Sequence, residues 1–217
     1  MEKITFKTRD GVTITGNYFK PQRKQAPVFL LLHMMPATRE SWNEFASIIQ
    51  KNGYAALAID MRGHGESTDR NGVMLDYKEF KDEEHRSSMN DIASAREFLA
   101  GKSEVDISRI AIAGASIGAN LALWQASIDK DVRLIMLLSP GLNYRGILAE
   151  ELAARFKGYV YILASEGDTK AADSSRKLAT VFSGETKMEI LKGDLHGTNM
   201  FNPEIMNDLL KWAFERI

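Results

Sequence analysis

Residues 110–128 read Ile110-Ala111-Ile112-Ala113-Gly114-Ala115-Ser116-Ile117-Gly118-Ala119-Asn120-Leu121-Ala122-Leu123-Trp124-Gln125-Ala126-Ser127-Ile128. The first four residues are a short apolar run, as expected of a strand buried on both faces. From Ile117 onward, Leu121, Ala122, Trp124 and Ile128 recur at helical spacing, which predicts a helix over 117–128. Between the two lies Gly114-Ala115-Ser116-Ile117-Gly118, a Gly-x-Ser-x-Gly pentapeptide. A serine at the tip of a sharp strand-to-helix turn takes a strained backbone. The residues two before and two after it then meet, so both must be very small. The same turn sets Ser116 at a helix N-terminus, where backbone N–H groups favour negative charge.

The same alternation continues on both sides. Apolar β-like runs at 28–32, 54–59, 134–138 and 160–164, and a last strand expected at 187–191, are separated by helical patterns at 42–49, 78–100, 171–182 and 203–216. The opening segments, 4–7 and 12–19, alternate polar and apolar around Arg9-Asp10-Gly11 and predict a hairpin. Residues 61–76 are rich in glycine and charge and read as a loop. The sum is a single α/β domain over residues 1–217. It is expected to have about eight strands, mostly parallel, with helices on both faces.

Composition sets the outer bounds. The chain has 217 residues, 44% apolar and 26% charged, in the range of a folded globular domain. Lys plus Arg number 28 against 29 Asp plus Glu, so there is no basic field for nucleic acid or anionic lipid. With no cysteine, disulfides, thiolate metal sites and cysteine nucleophiles are excluded. The longest apolar stretch is far below the roughly 18 residues of a membrane span. Met1-Glu2-Lys3-Ile4-Thr5 lacks the features of a signal peptide, so a cytoplasmic location is the default expectation.

A serine nucleophile needs a base, and the base an orienting acid. Four histidines are available. His33, His64 and His196 each follow a predicted strand, where ligand-site residues collect in open α/β sheets, so position does not decide among them. His85 lies in the charged run Asp82-Glu83-Glu84-His85-Arg86 and reads as a solvated helix face. Asp168, after the strand at 160–164, is the candidate acid, with Glu166 as runner-up. Arg62, His64, Glu66 and Asp69 suggest a metal site, but a single histidine with two carboxylates is a poor ligand set, and no metal is expected. Asn143-Tyr144-Arg145, after the strand at 134–138, lies on the expected site face.

With these motifs in order, the sequence resembles the α/β-hydrolase superfamily over nearly its whole length. Leu31-Leu32-His33-Met34-Met35-Pro36 is similar to that family's His-Gly-x loop. Asp60-Met61-Arg62-Gly63-His64-Gly65-Glu66-Ser67 is similar to its Asp-x-Arg-Gly-x-Gly-x-Ser segment. The resemblance implies an α/β-hydrolase fold and a triad of Ser116, Asp168 and His196. His33 is then the loop histidine that shapes the oxyanion side, and His64 belongs to a structural turn. The implied oxyanion donors are the backbone N–H groups of Ile117 and Met35. Such donors are worth roughly 3–4 kcal/mol each.

Methionine replaces the family glycine at Met34, which is compatible with function if the loop uses ordinary backbone angles. His33, Met34, Asn143, Tyr144 and Met200 are expected around the substrate pocket. Residues 140–158 leave room only for a loop and a short helix at 147–156, so no substantial cap is expected. The implied activity is hydrolysis of small carboxylic esters, short- to medium-chain or aryl and feruloyl-type, through an acyl-enzyme without a cofactor. A thioesterase or peptidase would use the same triad. A non-catalytic binding protein of the same fold is the alternative from another class, favoured only by Met34.

Overall fold

The structure is a computed structural model and describes residues 1–217. A hairpin of β1 (Glu2–Lys7) and β2 (Val12–Phe19) opens the chain. The parallel strands follow in chain order: β3 (Ala26–Leu32), β4 (Ala55–Ile59), β7 (Val105–Ala115), β8 (Val132–Leu138), β11 (Tyr159–Ser165) and β12 (Thr186–Leu191). Two tiny hairpins complete the list. They are β5 (Asp69–Arg70) with β6 (Val73–Met74), and β9 (Asn143–Tyr144) with β10 (Ile147–Leu148). The main sheet runs β12-β11-β8-β7-β3-β4-β2-β5-β6, with β1 also paired to β2. It has ten strands, not the expected eight, because the β5–β6 hairpin extends the antiparallel edge inside a segment expected to be a loop.

Strand alternation splits the core into two layers. Val28, Leu30 and Leu32 of β3 point to one face, with Ile110 and Ile112 of β7 and Ile135 and Leu137 of β8. Phe29 and Leu31 point to the other, with Ala111, Ala113 and Ala115 and with Leu134, Met136 and Leu138. The first face is covered by α3 (Met89–Ala100), α4 (Ile117–Ile128), α5 (Ala149–Ala153) and α6 (Thr169–Ala179). The second is covered by α1 (Asn43–Lys51) and α7 (Pro203–Phe214). On this side the alanines of β4 and β7 make room for Trp42, Phe45 and Trp212.

The long helix expected over 78–100 is interrupted. A short α2 (Asp82–Arg86) stops at Ser87-Ser88, and α3 restarts at Met89. Ser87 Oγ donates to the Glu83 carbonyl, and both serines have ψ near −12°, flatter than an α-helix. The Ser87 bond to the carbonyl four residues back weakens the helix at this point. Between β8 and β11 lie only the β9–β10 hairpin and the five residues of α5, so no cap domain covers the carboxyl ends of the strands. No helix is long and apolar enough to cross a membrane.

Strand order also places the site. The chain moves from β3 to β4 on one side and later returns through β7 on the other side of β3. A crevice opens where the order reverses, outside the carboxyl ends of β3 and β7.

Candidate active site

Ser116 ends β7 and starts α4, with φ +54° and ψ −117°. This left-handed conformation costs a non-glycine residue about 1–3 kcal/mol and persists only where its surroundings enforce it. They do so by close packing. A Cβ on Gly114 would lie 2.1 Å from the Gly118 carbonyl oxygen, and one on Gly118 would lie 2.4 Å from the Leu32 carbonyl oxygen. The turn is also tied to the sheet, since Ser116 N–H donates to the Leu138 carbonyl at 2.8 Å. Gly118 therefore seats the first turn of α4 against the end of β3, where the loop of Met34 and Met35 begins.

That loop carries the other backbone donors. Met34 and Met35 both avoid positive φ, so the loop accommodates methionine where the resemblance has glycine. Neither residue's N–H is engaged in a hydrogen bond. The Ile117 N–H belongs to the first turn of α4, which has no intrahelical acceptor.

His33 anchors the loop from beneath. It is fully buried, its Nε2 accepts from Met61 N–H at 3.0 Å, and its Nδ1 lies 2.9 Å from the Met34 carbonyl. With Nε2 accepting, the proton sits on Nδ1 and is donated to Met34. Burial, with the ring of His64 nearby, pushes its pKa down to about 3. The pocket expectation for His33 is corrected accordingly. It has no surface to offer a substrate and joins the β3 loop to the β4 turn.

Met34 and Met200 are likewise interior, 8% and 2% exposed. The Met34 sulfur lies over Gly197, so both methionines pack beneath the site instead of lining a pocket. Asn143 is exposed and its Oδ1 receives the Gly146 N–H within the β9–β10 hairpin, while Tyr144 is half-buried above Gly141.

Asp168 and His196 come together from the loops after β11 and β12. His196 Nδ1 is 2.5 Å from Asp168 Oδ2. Asp168 occupies the N-cap of α6, yet its side chain makes no capping bond. An N-cap carboxylate normally contributes about 1 kcal/mol to its helix. Here it turns to the histidine instead, a local rule broken at a site. Glu166, the runner-up, makes no side-chain hydrogen bond. Gly197, next to His196, packs against Ala115, so the histidine loop lies beside the serine turn. Ser116 Oγ and His196 are not hydrogen-bonded in this state. Such contacts commonly tighten only with substrate bound.

Two positioning residues escaped the sequence reading. Ser139 follows β8 with φ +51°, and its buried Oγ accepts the Gly197 N–H at 3.0 Å, fixing the histidine loop. Asn120 of α4 clamps Gly141 through both its amide groups, at 2.7 and 3.0 Å. A serine before a proline and an asparagine within a helix carry no local signature of either role. His85 corrects another expectation. It is 3% exposed, packed edge-on against Phe80, and faces a cleft beside Met35.

The charged turn after β4 is structural. Arg62 is fully buried between Asp91 and Asp10, at 2.8 and 2.7 Å. Asp60 accepts the backbone N–H groups of Arg39 and Glu66 at 2.8 and 2.9 Å. His64 stacks on Tyr77 at 4.0 Å. Glu66 turns to Lys3 and Arg39, and Asp69 to Gly72 N–H, so these side chains do not converge on one point.

Known proteins share this architecture. A protein from Butyrivibrio proteoclasticus solved with ferulic acid bound superimposes with a TM-score of 0.81 at 16% identity, covering 98% of each chain. An acetyl xylan esterase from Paenibacillus sp. R4 gives 0.80 at 19% identity, over 99% of this chain and 83% of that one. By sequence, a thiohydrolase of Arthrinium phaeospermum is 30% identical over 139 residues, 64% of this chain and 43% of that protein. A polyketide transferase of Penicillium crustosum is 28% identical over 143 residues, 64% and 44% respectively. The matched portion is thus under half the length of these curated relatives. The family model described as alpha/beta hydrolase fold matches residues 27–191, from the first parallel strand through the last. The chain belongs to the alpha/beta hydrolase family.

Proposed function

We propose that the chain is a serine hydrolase that cleaves carboxylic esters or thioesters through an acyl-enzyme. The observation that carries this reading is the strained Ser116 turn beside the loop of the paired His196 and Asp168. Ser116 Oγ attacks the carbonyl carbon while His196 Nε2 takes its proton. Asp168 holds the Nδ1–H and stabilises the imidazolium. The oxyanion is received by the N–H groups of Ile117 and Met35. His196 returns its proton to the leaving alcohol or thiol, the C–O or C–S bond breaks, and the acyl group stays on Ser116. Water, deprotonated by His196, attacks the acyl-enzyme, and the acid leaves with Ser116 reprotonated.

Two leaving groups, an alcohol and a thiol, are in view because the likenesses divide. The structural neighbours include an acetyl xylan esterase, an oxygen-ester enzyme, whereas the curated relatives include a thiohydrolase. Initial rates on oxygen esters and thioesters with the same acyl group decide between them. Wild type should turn over at least one series, and Ser116→Ala should lower that rate by about 10³-fold or more. Wild-type rates no better than those of Ser116→Ala on both series would refute the proposal.

A further inference from the structure

A cleft of ≈ 350 Å³ opens directly beside Met35, lined by Met35, Tyr77, Lys78, Phe80, His85 and Arg145 among others. Its walls are apolar and aromatic apart from two cations and one histidine, and none of the lining residues is a carboxylate. Lys78 has no acidic partner within salt-bridge distance. Arg145 has only Asp82, at 3.4 Å, with both side chains largely exposed. Such a loose, solvated pair is worth little and yields readily to a better-placed anion. Burial and the charge of Arg145 both push the His85 pKa down, so that wall is neutral.

Arg145 is held in place at a cost. It sits in the two-residue turn of the β9–β10 hairpin with φ +54°, followed by Gly146 at φ +80°. Such turns favour Asn, Asp or Gly, and arginine is strained there. Its carbonyl is fixed by Arg86 Nη1 at 2.8 Å. A strained, anchored cation at the mouth of a cleft beside the site is a reasoned candidate for ligand recognition.

We infer that Lys78 and Arg145 select acyl donors bearing an anionic oxygen group, carboxylate or phosphate, which occupies the cleft beside Met35 while the carbonyl sits at Ser116. This deepens the reading of Ser116 as the nucleophile and rests on it. Arg145 offers the planar fork that suits an oxyanion, and Lys78 adds a point charge.

The test uses two matched pairs. The monomethyl ester of adipic acid against its neutral monoamide places the charge on the acyl part. S-acetyl-4′-phosphopantetheine against S-acetylpantetheine places it on the leaving group. The readout is the ratio of kcat/KM, charged over neutral, in wild type and in Lys78→Met/Arg145→Gln. Wild type should favour the charged member in at least one pair, and the double variant should lower that ratio by about threefold or more, with Arg145→Lys, which keeps the charge but loses the fork, falling between the two. The pair that responds identifies the source of the anion. A wild-type ratio of one or below in both pairs, or a fall of less than about threefold, overturns the inference.

Calorimetric titration of the same compounds into Ser116→Ala separates this result from the nucleophile reading. If wild type turns over none of them, binding of a charged member that weakens by about threefold or more in the added double variant still upholds the anion site. Equal binding, or none, refutes it.

Discussion

Replacing His33 with glutamine tests the physical link between the interior and the loop proposed to receive the oxyanion. In the unfolded chain a histidine titrates near 6.5, whereas the folded His33 holds its pKa down to about 3. Between those values the unfolded chain binds a proton that the folded one refuses. The stability contributed by neutral His33 is therefore complete above about pH 6.5 and is lost as pH falls toward 3, at about 1.4 kcal/mol per pH unit. From pH 7.5 to 5.0 the loss works out at about 2 kcal/mol. Other groups titrate in the same range. Burial lowers His64 and His85 in the same sense, while Asp91, raised to about 6 by burial, acts oppositely. The difference between wild type and His33→Gln isolates the one residue. Urea unfolding at both pH values should show the variant less stable by about 1–3 kcal/mol at pH 7.5, because two buried hydrogen bonds are disturbed. At pH 5.0 that gap should shrink or invert by about 2 kcal/mol. A gap unchanged to within about 0.5 kcal/mol would refute the assignment of His33 as a buried neutral group bridging the β3 loop and the β4 turn.

Gly118→Ala should fold poorly or lose activity, since its methyl would lie 2.4 Å from a backbone oxygen that cannot swing aside; a soluble variant with wild-type rates would show the turn to be looser than described. Asp168→Asn should keep the wild-type circular dichroism spectrum yet lower kcat by about 10³–10⁴-fold, and a loss under about tenfold would remove Asp168 from the triad. Arg145→Asn should raise stability by about 1 kcal/mol, a rise in Tm of about 2–4 °C, because asparagine tolerates the left-handed turn; a lower Tm would mean that the arginine is not strained. Leu30→Ala, in the fully buried centre of β3, should cost about 2–5 kcal/mol in denaturant unfolding, and a cost below about 1 kcal/mol would contradict the core placement.

The parallel strands other than β12 were legible because each contains a continuous apolar run and serves two cores, as with Val28-Phe29-Leu30-Leu31-Leu32. The serine turn was legible because steric contact demands glycine at 114 and 118. Most of what escaped notice was set by contacts distant in sequence, the β5–β6 hairpin excepted. Asn71-Gly72 is a strong hairpin signal, but the flanking Asp69-Arg70 and Val73-Met74 lack the alternation that marks strands. His85 sits among charges, yet it packs edge-on against Phe80 and faces the cleft it shares with Arg145 of the β9–β10 hairpin. Met34 resembled a pocket residue because its loop position matched, and Met200 was expected beside the pocket with it. Their burial against Gly197 and the α7 layer depends on packing that no local pattern encodes. The Ser139 bond to Gly197 joins two loops 58 residues apart and has no signature in either.

The most direct test of the proposed nucleophile is labelling with a fluorophosphonate, read by intact mass and peptide mapping. One adduct per chain on Ser116 is expected, absent in Ser116→Ala and formed about 10³-fold more slowly in His196→Ala. An unlabelled wild-type protein, or an adduct on any other serine, would contradict the account.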